Sequence, residues 1–135
     1  RERLRSEGYP RLAGKVRWVA RESPAYGFDI LSFSGHAFNS SPDHPLAIEV
    51  KAQSMVARPL FSLYISKHEW DTANLLGRAY VFHLWDGVSG SGGSVTAARS
   101  CPNILRSTDL AVHMPTSPRC DERCNWQSAA VMIQI

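Results

Sequence analysis

From Leu46 to Gln53 the chain reads Leu-Ala-Ile-Glu-Val-Lys-Ala-Gln, its clearest two-residue alternation. Successive side chains of a strand point to opposite faces, so Leu46, Ile48, Val50 and Ala52 share one face while Glu49, Lys51 and Gln53 share the other. The first face is dry and the second is chemical. A chain that contains such a strand is committed to a sheet with one face in a core and one face available for polar work.

The flanking text supplies partners for that sheet. Arg1 to Glu7 reads as the end of a helix closed by Gly8 and Pro10, since glycine suits the position after a helix and proline cannot continue one. Lys15 to Ala20 is expected as a half-buried strand with Val16, Trp18 and Ala20 on one side. A turn at Ser23 to Gly27 leads into a strand over Phe28 to Phe33, and Ser34 to Pro45 is expected as a loop. Phe61 to Ile65 is a further short strand. Ser66 then opens a helix: Ser66 and Glu69 form a capping box, Ile65 and Trp70 stand at the positions of a hydrophobic staple, and the helix ends near Gly77. Ala79 to Trp85 follows as an apolar strand covered on both faces. The order strand, helix, strand predicts a parallel crossover. Gly87 to Ser94 reads as a loop or linker, and beyond it only Asn103 to Leu105 and Ala129 to Ile135 have strand character. The expected fold is α/β, with a mixed sheet of four to five strands and flanking helices. Residues 1–14 are read as a helix end and linker, 15–107 as the core domain and 108–135 as a C-terminal extension.

At 135 residues, 44% of them hydrophobic and 20% charged, the chain has the material for one globular domain and is not a disordered sequence. A net charge of +3 permits a polyanionic partner without requiring one. No apolar run reaches the length of a membrane span, and the opening Arg-Glu-Arg-Leu-Arg lacks the apolar stretch of a secretory signal. Three cysteines, Cys101, Cys120 and Cys124, make an odd count that suits a reducing compartment. An intracellular location without membrane association is therefore expected, cytoplasmic in a bacterium or nuclear in a eukaryote. Because the chain starts within what reads as a helix and not with Met, it is expected to be a fragment of a longer protein.

If the strands at 28–33 and 46–52 pair as an antiparallel hairpin, Asp29 falls beside Glu49 and Lys51. Two carboxylates at a strand end suit a hard cation such as Mg²⁺, which binds through one or two carboxylates and fills its shell with water and phosphate. Lys51 would then orient or deprotonate an attacking water, or stabilise developing negative charge, and Gln53 would position water or phosphate. Lys67 and His68, in the first turn of the capped helix, are candidates for contact with a nucleic-acid phosphate. A plainer reading stands beside this one: Asp29 caps a turn, and Glu49 with Lys51 forms a solvated face. Trp70, Tyr80, Phe82 and Trp85 are expected in the core. Cys101, His113, Cys120 and Cys124 have spacings that match no standard zinc site, so structural Zn²⁺ is not expected. His36, His44 and His83 are assigned to surface or packing.

The segments Gly27-Phe28-Asp29-Ile30 and Ile48-Glu49-Val50-Lys51 resemble the Asp...Glu-X-Lys signature of PD-(D/E)XK, restriction-endonuclease-like nucleases. More narrowly, Tyr26 to Phe33, the Ile48 to Lys51 strand, Ile65 to Trp70 and Tyr80 to Phe82 look like the domain at the C-terminal end of plant NO VEIN proteins, with Asn103 to Leu105 as its closing segment. The resemblance implies hydrolysis of DNA, with RNA as an alternative substrate, dependent on Mg²⁺ or Mn²⁺. Asp29 and Glu49 would be its metal ligands, and Asp29, Glu49, Lys51 and Gln53 its catalytic set. It also implies a fused or associated helicase or ATPase and a role in restriction or defence. Phe28 stands where the superfamily's name has proline, and Glu2 is the candidate for the acidic residue that many such nucleases carry on the preceding helix. The alternative is an inactive module of the same fold that binds nucleic acid or a partner.

Overall fold

The computed structural model describes residues 1–36, 41–53, 60–85, 87, 89–91, 94–96, 103–106, 109 and 128–134. Arg17–Trp18 (β1), Ile30–Phe33 (β2), Pro45–Ala52 (β3), Tyr80–Trp85 (β5) and Asn103–Leu105 (β8) form one mixed sheet in the order β1-β2-β3-β5-β8. β3 is parallel to β5 and the other neighbours are antiparallel. Leu60–Ser66 (β4) leaves that sheet and pairs with Ser128–Gln134 (β9) along its whole length. The crossover from β3 to β5 therefore runs through β4 and the helix Lys67–Leu76 (α3), and the parallel partner of β5 is β3. The α/β class and the five-stranded mixed sheet agree with the sequence reading. Among the described residues no helix is long and apolar enough to cross a membrane.

The main core lies between the sheet and the pair β4–β9. Ala47 from β3, Tyr80, Phe82 and Leu84 from β5, Phe61, Leu63 and Ile65 from β4, Ala73 from α3, and Val131 and Ile133 from β9 form one buried cluster, with Phe28, Trp70 and Leu105 packed on it. The opposite side of β3 and β5 holds a smaller cluster of Leu46, Ile48 and Val81, which Ile30 and Val50 adjoin. Ile30 also adjoins a third cluster, Leu4, Ala13 and Val16, contributed mainly by the N-terminal helices.

This arrangement revises the two-faced picture of β3. The face carrying Leu46, Ile48 and Val50 covers the lesser cluster, whereas Glu49 shares its face with Ala47 and lies against the main core, only 6% exposed. Both faces of the strand are covered, as is usual for a strand with a parallel neighbour.

Three local expectations change. Pro10 starts a helix, Pro10–Lys15 (α2), because a proline at the first helical position lacks only an N–H that has no partner there. The preceding helix, Glu2–Ser6 (α1), ends before it in a Schellman turn: Gly8, at φ +88°, donates to Arg5 O and Tyr9 donates to Leu4 O. The strand expected over Lys15 to Ala20 consequently shrinks to β1, and Trp18 is 58% exposed while Val19, in a short 3-10 turn, is buried. The stretch expected as a loop at 87–94 contains Ser89–Ser91 (β6), which pairs with Ser94–Thr96 (β7). Serine and glycine have little strand preference, but their backbone groups are satisfied by pairing with each other. The set Cys101, His113, Cys120 and Cys124 lies outside the described residues.

Candidate functional site: an acidic cleft bridged by a lysine

Asp29 is placed by a loop that leaves it little freedom. Ser23 caps a short 3-10 turn, Pro24–Tyr26, by accepting from Ala25 N, and Gly27 follows in the left-handed region at φ +68°. The loop lies so close to α3 that a Cβ on Gly27 would sit 2.4 Å from Thr72 Oγ1, so glycine is required by both space and conformation. The buried Tyr80 hydroxyl donates to Gly27 O at 2.9 Å and ties the loop to the start of β5.

Asp29 then continues the ladder between β2 and β3. Its N–H donates to Ile48 O at 3.0 Å, and its Oδ2 accepts from Val50 N at 2.9 Å. With Ile30 opposite Ile48, the register sets Asp29 opposite Glu49. A slip of one residue would turn these side chains to opposite faces.

Lys51 joins two carboxylates. Its Nζ is 2.9 Å from Glu49 Oε1 and 2.7 Å from Glu69 Oε2, and Glu69 Oε2 also accepts from Ser66 N at 3.1 Å. Ser66 Oγ accepts in turn from Glu69 N, completing the capping box that begins α3. One carboxylate thus caps a helix and holds the lysine. Asp29, Glu49, Glu69, Ser66 and His68 line a cleft of ≈ 300 Å³ together with residues of the 20–28 segment.

Burial raises the Glu49 carboxyl to about 7; the hydrogen bond and charge of Lys51 oppose the rise, and Glu69 and Asp29 add to it. For Lys51 burial acts downward, but hydrogen bonds and charge from Glu49 and Glu69 outweigh it and raise its pKa above the usual lysine value. Lys51 is therefore an ammonium at neutral pH. Burial also raises the Tyr80 hydroxyl, as do the charges of Glu49, Glu69 and Asp29, so this phenol stays protonated as a donor.

The structure brings Asp29, Glu49 and Lys51 together but separates other expected members. Gln53 Oε1 accepts from Ser62 N and ties β3 to β4, away from the cleft lining. Lys67 Nζ pairs with Asp71 at 2.6 Å along α3. His68 lines the cleft, and its Nε2 lies 3.1 Å from Ala25 O, so that nitrogen carries the proton in this contact. Glu2 is highly exposed and pairs with Arg5. The third carboxylate is instead Glu69, which sequence reasoning spent entirely on the helix cap. The capping box was the available signal, but its link to Lys51 requires the crossover that brings α3 beside β3. Trp70 and Trp85 are partly buried and Tyr80 and Phe82 fully buried, as expected of core aromatics.

Three carboxylates against one ammonium give the site an excess of hard oxygen donors. Among the described residues no group of three or more His, Cys, Asp or Glu side chains forms a ready metal-ligand set. The donor chemistry fits a cation of the Mg²⁺ kind held by one or two carboxylates and completed by water or substrate; it does not fit a closed protein cage.

Fold and site together define an α/β domain with a mixed sheet and a lysine-bridged acidic cleft at the meeting of β2, β3 and α3. The chain belongs to the family described as Protein NO VEIN, C-terminal, which it matches over residues 1–94. The match takes in α1 and α2 and stops before β8 and β9. No curated protein and no solved structure matches the chain.

Proposed function

We propose that this domain hydrolyses phosphodiester bonds in DNA through a PD-(D/E)XK-type site. The observation that carries the reading is the convergence of Asp29, Glu49 and the Lys51 ammonium around one cleft, with Glu69 holding the lysine in place. Asp29 and Glu49 would hold Mg²⁺ or Mn²⁺, which when bound activates water and offsets phosphate charge. Lys51, charged and fixed between two carboxylates, stabilises negative charge growing on the phosphate oxygens. Its raised pKa supports that role over removal of a proton from water. Glu69 positions Lys51, and His68 stands in the cleft wall within reach of a substrate strand. A fused or associated helicase or ATPase that delivers DNA, in restriction or defence, belongs to the same proposal.

The test is incubation with plasmid and linear DNA, and in parallel with RNA, in Mg²⁺ or Mn²⁺. Glu49→Gln and Lys51→Ala are expected to reduce cleavage at least about 100-fold, the scale of losing one preorganised charge-stabilising group. Cleavage indifferent to both substitutions would sink the assignment. One feature favours the second reading, an inactive binding module: Asp29 and Lys51 already have internal partners in Val50, Glu49 and Glu69. That reading predicts DNA binding without metal-dependent cutting.

A further inference from the structure

Trp18 is the exposed aromatic nearest in the fold to the acidic cleft. It lies on the two-residue edge strand β1, opposite Ile30 in the register and 58% exposed. With Asp29, Ile30 and Val50 it lines a second pocket of ≈ 410 Å³, largely apolar and large enough for a planar ring. Asp29 lines both this pocket and the acidic cleft, so the two cavities adjoin at a residue of the site. The Arg21 guanidinium stands over the indole, 5.0 Å from its centroid, and sets a positive charge beside the ring. A π-face, an apolar floor and a neighbouring cation suit a base whose phosphate runs alongside it. An isolated exposed tryptophan would need no explanation; one that walls a pocket shared with the site does.

We infer that Trp18 is a stacking platform for a nucleobase of the strand that enters the acidic cleft, so that the domain takes a strand whose bases are unpaired or splayed. A base in an intact duplex has its faces covered by its neighbours and cannot lie on an indole. Single strands, frayed ends and opened duplexes are therefore the substrate class. The inference rests on the nucleic-acid reading above but not on hydrolysis.

Binding of a fluorescein-labelled short single-stranded DNA is measured in EDTA, so that affinity is read apart from cutting, for the wild-type protein, Trp18→Ala and Trp18→Phe. Base stacking on an aromatic side chain contributes about 1–3 kcal/mol, so Trp18→Ala is expected to weaken binding about 5- to 150-fold while Trp18→Phe retains most of the affinity. A strand made abasic along its length should bind weakly and equally to wild type and Trp18→Ala. Wild-type affinity in a Trp18→Ala protein with an unchanged melting curve would overturn the inference, as would an equal loss on the abasic strand or no binding of the intact strand by the wild type. Trp18-dependent binding without cleavage would remove the hydrolytic reading and leave the platform standing. Cleavage that needs Glu49 but not Trp18, on strands bound equally well by Trp18→Ala, would do the reverse.

Discussion

Glu49 is the only charged side chain fully buried among the described residues, and its environment explains why it tolerates that position. A carboxylate removed from water is costly unless it is paired, and Lys51 supplies the partner. Lys51→Met should therefore leave Glu49 and Glu69 without their counter-charge and lower stability by on the order of 3 kcal/mol, read from urea unfolding at neutral pH. His83 presents the opposite case. Burial lowers it to about 4, with the positive charge of Arg3 adding to the effect, from an ordinary value near 6.5. Below pH 6.5 the unfolded chain takes up a proton that the folded chain refuses until about pH 4. The stability contributed by neutral His83 is thus complete above pH 6.5 and is lost as pH falls toward 4, by up to about 3 kcal/mol. Between pH 7 and 4.5, unfolding free energies of the wild type should fall more steeply than those of His83→Gln; parallel curves would show that His83 is not the group responsible. Neither burial was legible in the sequence, because alternation along a strand separates its two faces without telling which one meets the larger core.

At the scale of elements, those that carry their own signals were read closely. The bounds of α3 follow from Ser66, Glu69 and Gly77, a cap and a stop written within a dozen residues, and the structure shows both reciprocal bonds of the capping box. Ser66→Ala should remove one of them and cost about 1 kcal/mol, seen as a lower urea midpoint at unchanged slope. Because Glu69 also holds Lys51, the same substitution should slow any Lys51-dependent cleavage, a coupling that an isolated helix cap would not produce. The strands β3 and β5 were legible by their periodicity and apolar content. The segment at 15–20 was not, because α2 extends through Lys15 and a proline that can end one helix can equally begin the next. The β6–β7 pair was hidden for a different reason: its serines and glycines carry no side-chain pattern, so only backbone pairing defines it.

For the whole molecule, the pairing of β4 with β9 has the largest consequence. Val131 and Ile133, from the last stretch of the chain, close the same core as Phe61, Leu63 and Ile65, so the region matching the family does not contain every residue that buries that core. Ile133→Ala should cost about 2–5 kcal/mol in urea unfolding, the usual range for truncating a buried isoleucine. A value within experimental error of zero would mean that β9 does not seal the core. The sequence by itself determined the α/β class, the hairpin and crossover that frame β3, the capped helix, and the pairing of Asp29 with the Glu49 to Lys51 strand. Each of these depends on contacts between near neighbours or on a repeating pattern. Only the tertiary structure decided that the polar face of β3 meets the main core, that Glu69 completes the lysine-bridged cleft, and that Trp18 stands exposed beside Asp29. Those outcomes depend on which distant elements pack together. Burial, charge pairing and exposure are properties of that packing, so the local order of residues does not contain them.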